Sequence, residues 1–263
     1  MSPAKYRSRR PRSPTARDAR RLYGDLAWTW PIISPPGDYV EESELFARLI
    51  CEGSPKKPKT LLHLGCGGGH NDFTLKRHFD VTGVDVSPAM LRLARRLNPE
   101  VDYRLGDMRR VRLRGVFDAV AILDSIGYML TEADLRAAFA TAFFHLRPGG
   151  VLLTYVEKEP RRFVQGRTRF LTGSGGGVEV RFIENEHDPD PADTTFESRF
   201  VFLIRRGGRL EVETDRHVCG IFPMRTWIAA LGTTGFRVVR RDVLPASGPG
   251  DDAIRILVCR KPA

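Results

Sequence analysis

Cysteine is scarce in this chain of 263 residues, and the four present, Cys51, Cys66, Cys219 and Cys259, lie far apart with no C-x-x-C pair. That spacing excludes a zinc knuckle and a disulfide framework, and leaves reduced thiols packed as small apolar groups. No metal site is expected. No apolar run approaches the roughly 18 to 20 residues that cross a bilayer, and the first residues lack the apolar stretch of a secretory signal. A cytoplasmic protein without membrane contact is the expectation. Acidic residues are nearly missing from positions 1–21, where Lys5, Arg7, Arg9, Arg10, Arg12, Arg17, Arg20 and Arg21 face Asp18 alone. This stretch carries +7 of the chain's net +10, so the remainder is only mildly basic. Rich in serine and proline and poor in apolar residues, it reads as a solvated, disordered tail, with an RNA-binding arm as the competing reading. A transit peptide is a further resemblance, but no convincing amphipathic pattern supports it.

The rest, in a chain that is 41% hydrophobic and 28% charged overall, has the makings of one large α/β core with an appendage. Short β-branched runs alternate with helical periodicity from residue 59 onward, which predicts a mostly parallel, doubly wound sheet. Strands are expected at 59–65, 80–86, 101–107, 117–123 and 150–156, with helices over 70–79, 87–97 and 131–146. Ser87 before Pro88 is a helix-start signal, and "RPGG" at 147–150 stops the last of these helices. Two more strands, 236–244 and 253–261, are separated by only "PASGPGDD". So short a link cannot carry a parallel crossover, so an antiparallel C-terminal hairpin follows. Between Glu157 and Pro223 the pattern turns to period-two alternation with a "RRGGR" turn, an antiparallel β insertion after strand five that docks at the sheet's carboxyl edge. The expected organisation is a tail (1–21), a helical lid (22–57), a ligand-binding α/β core (58–156), the insertion (157–223), and a helix plus hairpin completing the core (224–263).

"LLHLGCGGGH" at 61–70 sets glycines directly behind the first strand. A bare backbone between strand and helix permits a tight turn and lets a ligand approach main-chain atoms. The spacing is Gly65-x-Gly67-x-Gly69, and His70 stands where a dinucleotide fingerprint would require its last glycine. Asp85, twenty residues on at the end of the second strand, is placed to accept both ribose hydroxyls of a nucleoside. Asp107 ends the third strand, where its carboxylate would accept from an adenine amine while Met108 packs on the ring. A turn-forming role for Asp107 competes with that.

The glycine series, "VTGVDVSPAML", "YRLGDMRRVRL", "FDAVAILDSIGYM" and "LRPGG" together resemble the motif series of class I S-adenosylmethionine-dependent methyltransferases over residues 40–160. The insertion, "SIGY", "YGDL" and "DYVEE" are further similar to small-molecule members of the amino-sugar and glycine N-methyltransferase kind. The resemblance implies a seven-stranded sheet with a reversed last strand, and S-adenosylmethionine as cofactor. It implies cofactor contacts at His63, Gly65, Cys66, Gly67, Gly69, Asp85, Val86, Met90, Gly106, Asp107, Met108, Leu123, Asp124, Tyr128 and Tyr39. His63 departs from the family, which has Asp or Glu there to help hold the methionyl end. A neutral imidazole still makes one hydrogen bond, and a packed core histidine is the other reading. Asp124 or a carbonyl near Leu123 is then needed for the cofactor's amino group.

An activated sulfonium leaves the protein chiefly an in-line approach and a dry site to provide. Where a proton must leave the acceptor, the candidates are His217 in "RHVCGIF", Glu157 past strand five, and Tyr23 in the aromatic N-terminal segment. A small-molecule N- or O-acceptor is expected. A nucleic-acid methyltransferase is disfavoured because strand four ends in "LDSIGY" rather than [DN]-P-P-[YF], and a non-catalytic cofactor-binding protein is the third reading. No feature of the chain fixes an oligomeric state.

Overall fold

The computed structural model describes residues 20–246 and 253–263; the tail expected at the N-terminus lies outside the described residues up to position 19. Arg21 already belongs to the folded part, opening a 3-10 turn and donating to Asp25 and Glu213. An N-terminal segment of short turns and a four-residue helix α1 (Trp30–Ile33) leads into α2 (Val40–Gly53). Then come β1 (Thr60–Leu64), the short α3 (Asp72–Leu75), β2 (Asp80–Asp85), α4 (Pro88–Leu97), β3 (Asp102–Leu105), β4 (Phe117–Ile122), α5 (Glu132–His145) and β5 (Leu146–Val156). After β6 (Thr168–Gly175), β7 (Val178–His187), β8 (Thr195–Arg206) and β9 (Arg209–Gly220), the chain returns through α6 (Met224–Thr234), β10 (Arg237–Leu244) and β11 (Ile254–Arg260).

Seven strands form one sheet in the order β10-β11-β5-β4-β1-β2-β3. The strands from β3 across to β5 are parallel, and β11 runs antiparallel to both β5 and β10. The terminal hairpin is therefore present, and its second strand is the one inserted against β5. Because side chains alternate across a strand, Leu62 and Leu64 of β1 pack with Phe139 of α5 and Trp227 and Leu231 of α6, while Leu61 faces Phe46 and Ile50 of α2 and Leu91 of α4. The order in which strands are added reverses between β1 and β4, and in open α/β sheets such a switch point opens a crevice at the strands' carboxyl ends.

The remaining strands make a separate antiparallel sheet, β6-β7-β8-β9, with two-residue turns at Gly176-Gly177 and Gly207-Gly208. All four turn glycines have positive φ, as the hairpin turns that match strand twist require. β6 was not among the expected strands: "TRFLTGSG" carries two glycines, a turn-like composition. One of those glycines is a close approach, since a Cβ on Gly173 would stand 1.8 Å from the Ile32 carbonyl oxygen. This sheet buries Val180, Phe182, Phe200 and Phe202 against Leu22, Leu26 and Ile33, so the N-terminal segment lies on the insertion. The helix expected over 70–79 is reduced to α3, because Asn71 and Asp72 turn their side chains inward to buried partners. Ser87 caps α4 as expected, accepting from Met90 N–H at 3.0 Å.

Candidate active site

At the carboxyl ends of β1, β2 and β4 lies a cavity of about 420 Å3. Its floor is the glycine turn. The N–H groups of Gly65 and Cys66 both donate to the Val84 carbonyl, at 2.7 and 3.0 Å, which folds the chain back at once after β1. Gly65 has φ +77°, and a Cβ there would sit 1.9 Å from Ser125 Oγ. Asp85 clasps the turn: one carboxylate oxygen accepts from Gly67 N–H at 2.9 Å, the other from Ser87 N–H at 2.8 Å. Burial pushes its carboxyl up, and these two donors work against that shift.

His63, Gly65, Cys66, Gly67, Asp85, Val86, Met90, Gly106, Asp107, Met108, Leu123, Asp124, Tyr128 and Tyr39 all line this cavity. Gly69 does not. Its missing Cβ makes room for Tyr103 Oη and Asn98 Nδ2, 2.6 and 2.7 Å from where that atom would be, so its bareness serves packing beneath the loop. Asp107 reaches the wall, but its carboxylate is already taken by the Arg109 guanidinium at 2.7 Å, which holds it below the usual carboxylate range. Burial keeps the Cys66 thiol protonated.

His63 is 1% exposed and sits in a buried polar relay. Its Nδ1 lies 2.7 Å from Asp72, whose other oxygen accepts from Tyr103 Oη at 3.0 Å; Asn98 Nδ2 donates to Tyr103 Oη and to the Gly69 carbonyl. His63 Nε2 and Asn98 Oδ1 are left without a hydrogen-bond partner, and the His63 ring borders the cavity. One nitrogen of His63 thus packs on a carboxylate, as a core histidine does, while the other makes no hydrogen bond within the protein. Asp72 was not singled out in the sequence; its pairing depends on α3 folding back beside β1.

A second cavity of about 330 Å3 opens between the main sheet and the insertion. Tyr23, Trp30, Tyr39, Asp124 and Tyr128 border both cavities and form the passage between them. Glu157 lines the second one, together with Glu42, Glu184 and Glu186, and with Lys158 and Arg169, which pair with those acids. Burial pushes both Glu157 and Glu42 up to about 7, with Asp124 adding like-charge repulsion. Asp124 is accessible to the cavities, accepts from Tyr155 Oη, and is likewise raised by desolvation. Glu42 and Trp30 were not weighed in the sequence; "DYVEE" was the signal for the former.

His217 needs correction. It lines neither cavity and is fully buried, neither a pocket residue nor a solvent-facing strand histidine. Its Nε2 faces Asp215 at 2.9 Å and its Nδ1 faces Tyr128 Oη at 2.7 Å, while Tyr128 donates to Tyr23 Oη at 2.9 Å. Asp215 and His217 share one strand face at a spacing of two, a signal the sequence did carry.

Residues 61–150 match the family model of a methyltransferase domain. A dTDP-3-amino-3,4,6-trideoxy-alpha-D-glucopyranose N,N-dimethyltransferase from Streptomyces venezuelae is 36% identical over 203 residues, covering 76% of this chain and 84% of that protein. The chain belongs to the class I S-adenosylmethionine-dependent methyltransferases. Similar solved structures include Streptomyces venezuelae DesVI, at a TM-score of 0.74 and 26% identity over 91% of this chain and 96% of that one. Another is S-adenosylmethionine-bound CalS10, an amino pentose methyltransferase from Micromonospora echinaspora, at 0.72 and 26% over 85% and 91%. This methyltransferase uses S-adenosylmethionine to methylate a small-molecule acceptor. The first cavity fits that cofactor: it offers a bare turn, an acid at its edge, an unpartnered imidazole nitrogen and the apolar wall of Met108.

The methyltransferase's two raised glutamates carry a stability cost with a definite sign. Each is pushed from the ordinary glutamate value of 4.5 up to about 7, so the folded state binds its proton more tightly. Ionisation thus costs nothing below the unfolded value and its full amount above the folded one. Glu42→Gln and Glu157→Gln are each expected to raise stability by about 1–2 kcal/mol at pH 8, a figure discounted for their partial exposure to the cavity. Chemical denaturation at pH 8 and pH 5 checks this, with the gain shrinking toward the lower pH.

Proposed function

We propose that the acceptor is the amine of a nucleotide-linked amino sugar, methylated on nitrogen. The observation that carries this reading is the run of carboxylates, Glu42, Asp124 and Glu157, on the acceptor side of the passage. Carboxylates held in a desolvated cavity favour a cationic ammonium over a neutral hydroxyl, because burial penalises their charge and a further cation offsets that penalty. The relatives support the same class, being N,N-dimethyltransferases of dTDP-linked amino sugars.

In this reading, residues 58–156 with 224–263 hold the cofactor, 157–223 shape the acceptor side, and 22–57 act as a lid. Asp85 holds the ribose hydroxyls, and the N–H groups of the glycine turn and His63 Nε2 meet the methionyl end. Gly106, Met108, Val86 and Met90 enclose the base, and Asp107, pinned by Arg109, lends one free lone pair. Leu123, Asp124, Tyr39 and Tyr128 close the passage. When bound, the cofactor supplies an electrophilic methyl group on a sulfonium. The protein orients the amine through Glu157 and Asp124, and excludes water with Tyr23, Trp30 and Tyr39.

The test is incubation with S-adenosylmethionine and dTDP-3-amino-3,4,6-trideoxy-α-D-glucopyranose, read by mass spectrometry. One and then two methyl increments on the sugar nitrogen are expected. Transfer to oxygen only, or no transfer to this sugar and to its 4-amino counterpart, would overturn the reading.

A further inference from the structure

Four side chains run in one hydrogen-bonded line from the passage into the insertion. Tyr23 and Tyr128 border both cavities, His217 lies behind Tyr128, and Asp215 lies behind His217. The far end is fixed, since Asp215 also accepts from the backbone N–H groups of Leu22 and Arg216 at 2.8 Å each. Burial works against ionisation of Asp215, yet these donors and His217 hold its carboxyl below the usual range. An ionised carboxylate facing Nε2 requires a proton on that nitrogen. Nδ1, 2.7 Å from Tyr128 Oη, is then the nitrogen that faces the hydroxyls, and a proton arriving there would complete an imidazolium whose charge faces Asp215. A fully buried imidazolium is worth its desolvation only when a carboxylate pairs with it.

The line thus ends in a nitrogen that can receive a proton and a carboxylate that can balance its charge. We propose that Tyr23, Tyr128 and His217, with Asp215 as counter-charge, form the route by which the acceptor's ammonium proton is removed before methyl transfer. The ammonium N–H bond breaks and its proton goes to Tyr23 Oη. Tyr23's own proton passes to Tyr128 Oη, and Tyr128's proton bonds to His217 Nδ1. The freed nitrogen lone pair becomes the nucleophile. When product leaves and the passage meets solvent, the proton returns outward by the same hydroxyls.

The surroundings suit this direction. Phe200 stacks its edge on the imidazole at 4.5 Å between centroids and keeps water away. The Arg20 guanidinium lies 4.6 Å over the Tyr128 ring and disfavours a lasting positive charge beside it, which favours the proton's return. Burial above all, with Cys219, Asp124 and Asp85 adding to it, disfavours ionisation of Tyr23, so Tyr23 relays a proton rather than holding a charge. Glu157 is thereby assigned to binding the ammonium rather than to taking its proton.

His217 and Asp215 touch no substrate and are positioning and relay residues, so the test needs readouts that packing alone does not move. The first uses the full chain with S-adenosylmethionine and the dTDP-linked 3-amino sugar, and rests on the amine reading. Tyr128→Phe keeps the ring and cuts the line, and is expected to lower kcat about a hundredfold, the usual size of a lost proton transfer, with both KM values nearly unchanged. Asp215→Asn is expected to move the acidic limb of the kcat profile and to lower kcat less. A Tyr128→Phe enzyme within about threefold of wild type and with the same pH profile overturns the proposal. The second readout needs no acceptor: nitrogen-15 spectra of the histidine rings, with His217 identified by its loss in His217→Gln. The Nδ1 signal of His217 is expected to show the shift of a nitrogen hydrogen-bonded to a hydroxyl in the wild type and to lose it in Tyr128→Phe. If wild type fails to methylate the sugar, the amine reading falls, and an unchanged His217 spectrum in Tyr128→Phe overturns the relay on its own.

Discussion

Asp85→Ala is expected to weaken binding of S-adenosylmethionine and of its demethylated product by at least a hundredfold, with the protein still folded. The carboxylate does two things at once. It accepts the N–H groups of Gly67 and Ser87, holding the glycine turn against the start of α4, and its remaining lone pairs face the cavity. Hydrogen bonds to a charged group contribute roughly 1.5–3 kcal/mol each, and removing the acceptor also leaves two donors unsatisfied. Asn recovers little, since its amide would turn a donor toward one of those N–H groups. Isothermal calorimetry with the demethylated cofactor measures the loss, and a change of twofold or less would show that the acid grips nothing.

Gly65→Ala should be comparably damaging for a different physical reason. At φ +77° an L-residue is strained by about 1–2 kcal/mol, and the new methyl would lie 2.4 Å from Ser125 Cβ and 2.7 Å from Met108 Cε as well as against Ser125 Oγ. Relief of that clash pushes the "SIGY" turn away from β1 and distorts the wall of the cofactor cavity. A cofactor affinity lower by about tenfold to a hundredfold is expected. The double variant Gly65→Ala, Ser125→Gly removes the steric part and leaves the backbone strain, so it should regain part of the affinity. Full affinity in the single variant would mean that the turn tolerates a side chain and does not approach a ligand.

The parallel core was legible because its signals are local. Alternation fixed β1 through β5, Ser87-Pro88 announced α4, and the short link before Ile254 forced a hairpin. What the sequence hid depends on which way a side chain turns once two elements meet. His63 looked like a departure at one position, whereas its carboxylate partner, Asp72, sits nine residues away on a helix too short to announce itself. Gly69 belonged to the motif by spacing, yet Tyr103 and Asn98 fill the space it leaves. The facing of His217 could not be read, because it depends on Leu22, Tyr23 and Tyr128, which cover the strand face it shares with Asp215. β6 was missed because the glycine that lets it approach Ile32 gives the strand the composition of a turn.

The most direct test of the cofactor assignment is a crystal structure of the full chain with the demethylated cofactor. The ribose hydroxyls should lie within hydrogen-bond distance of Asp85, the amino group beside His63 Nε2, and the sulfur at the passage bordered by Tyr23, Trp30 and Asp124. A nucleoside found away from the β1 turn, or a sugar that does not meet Asp85, would contradict the account.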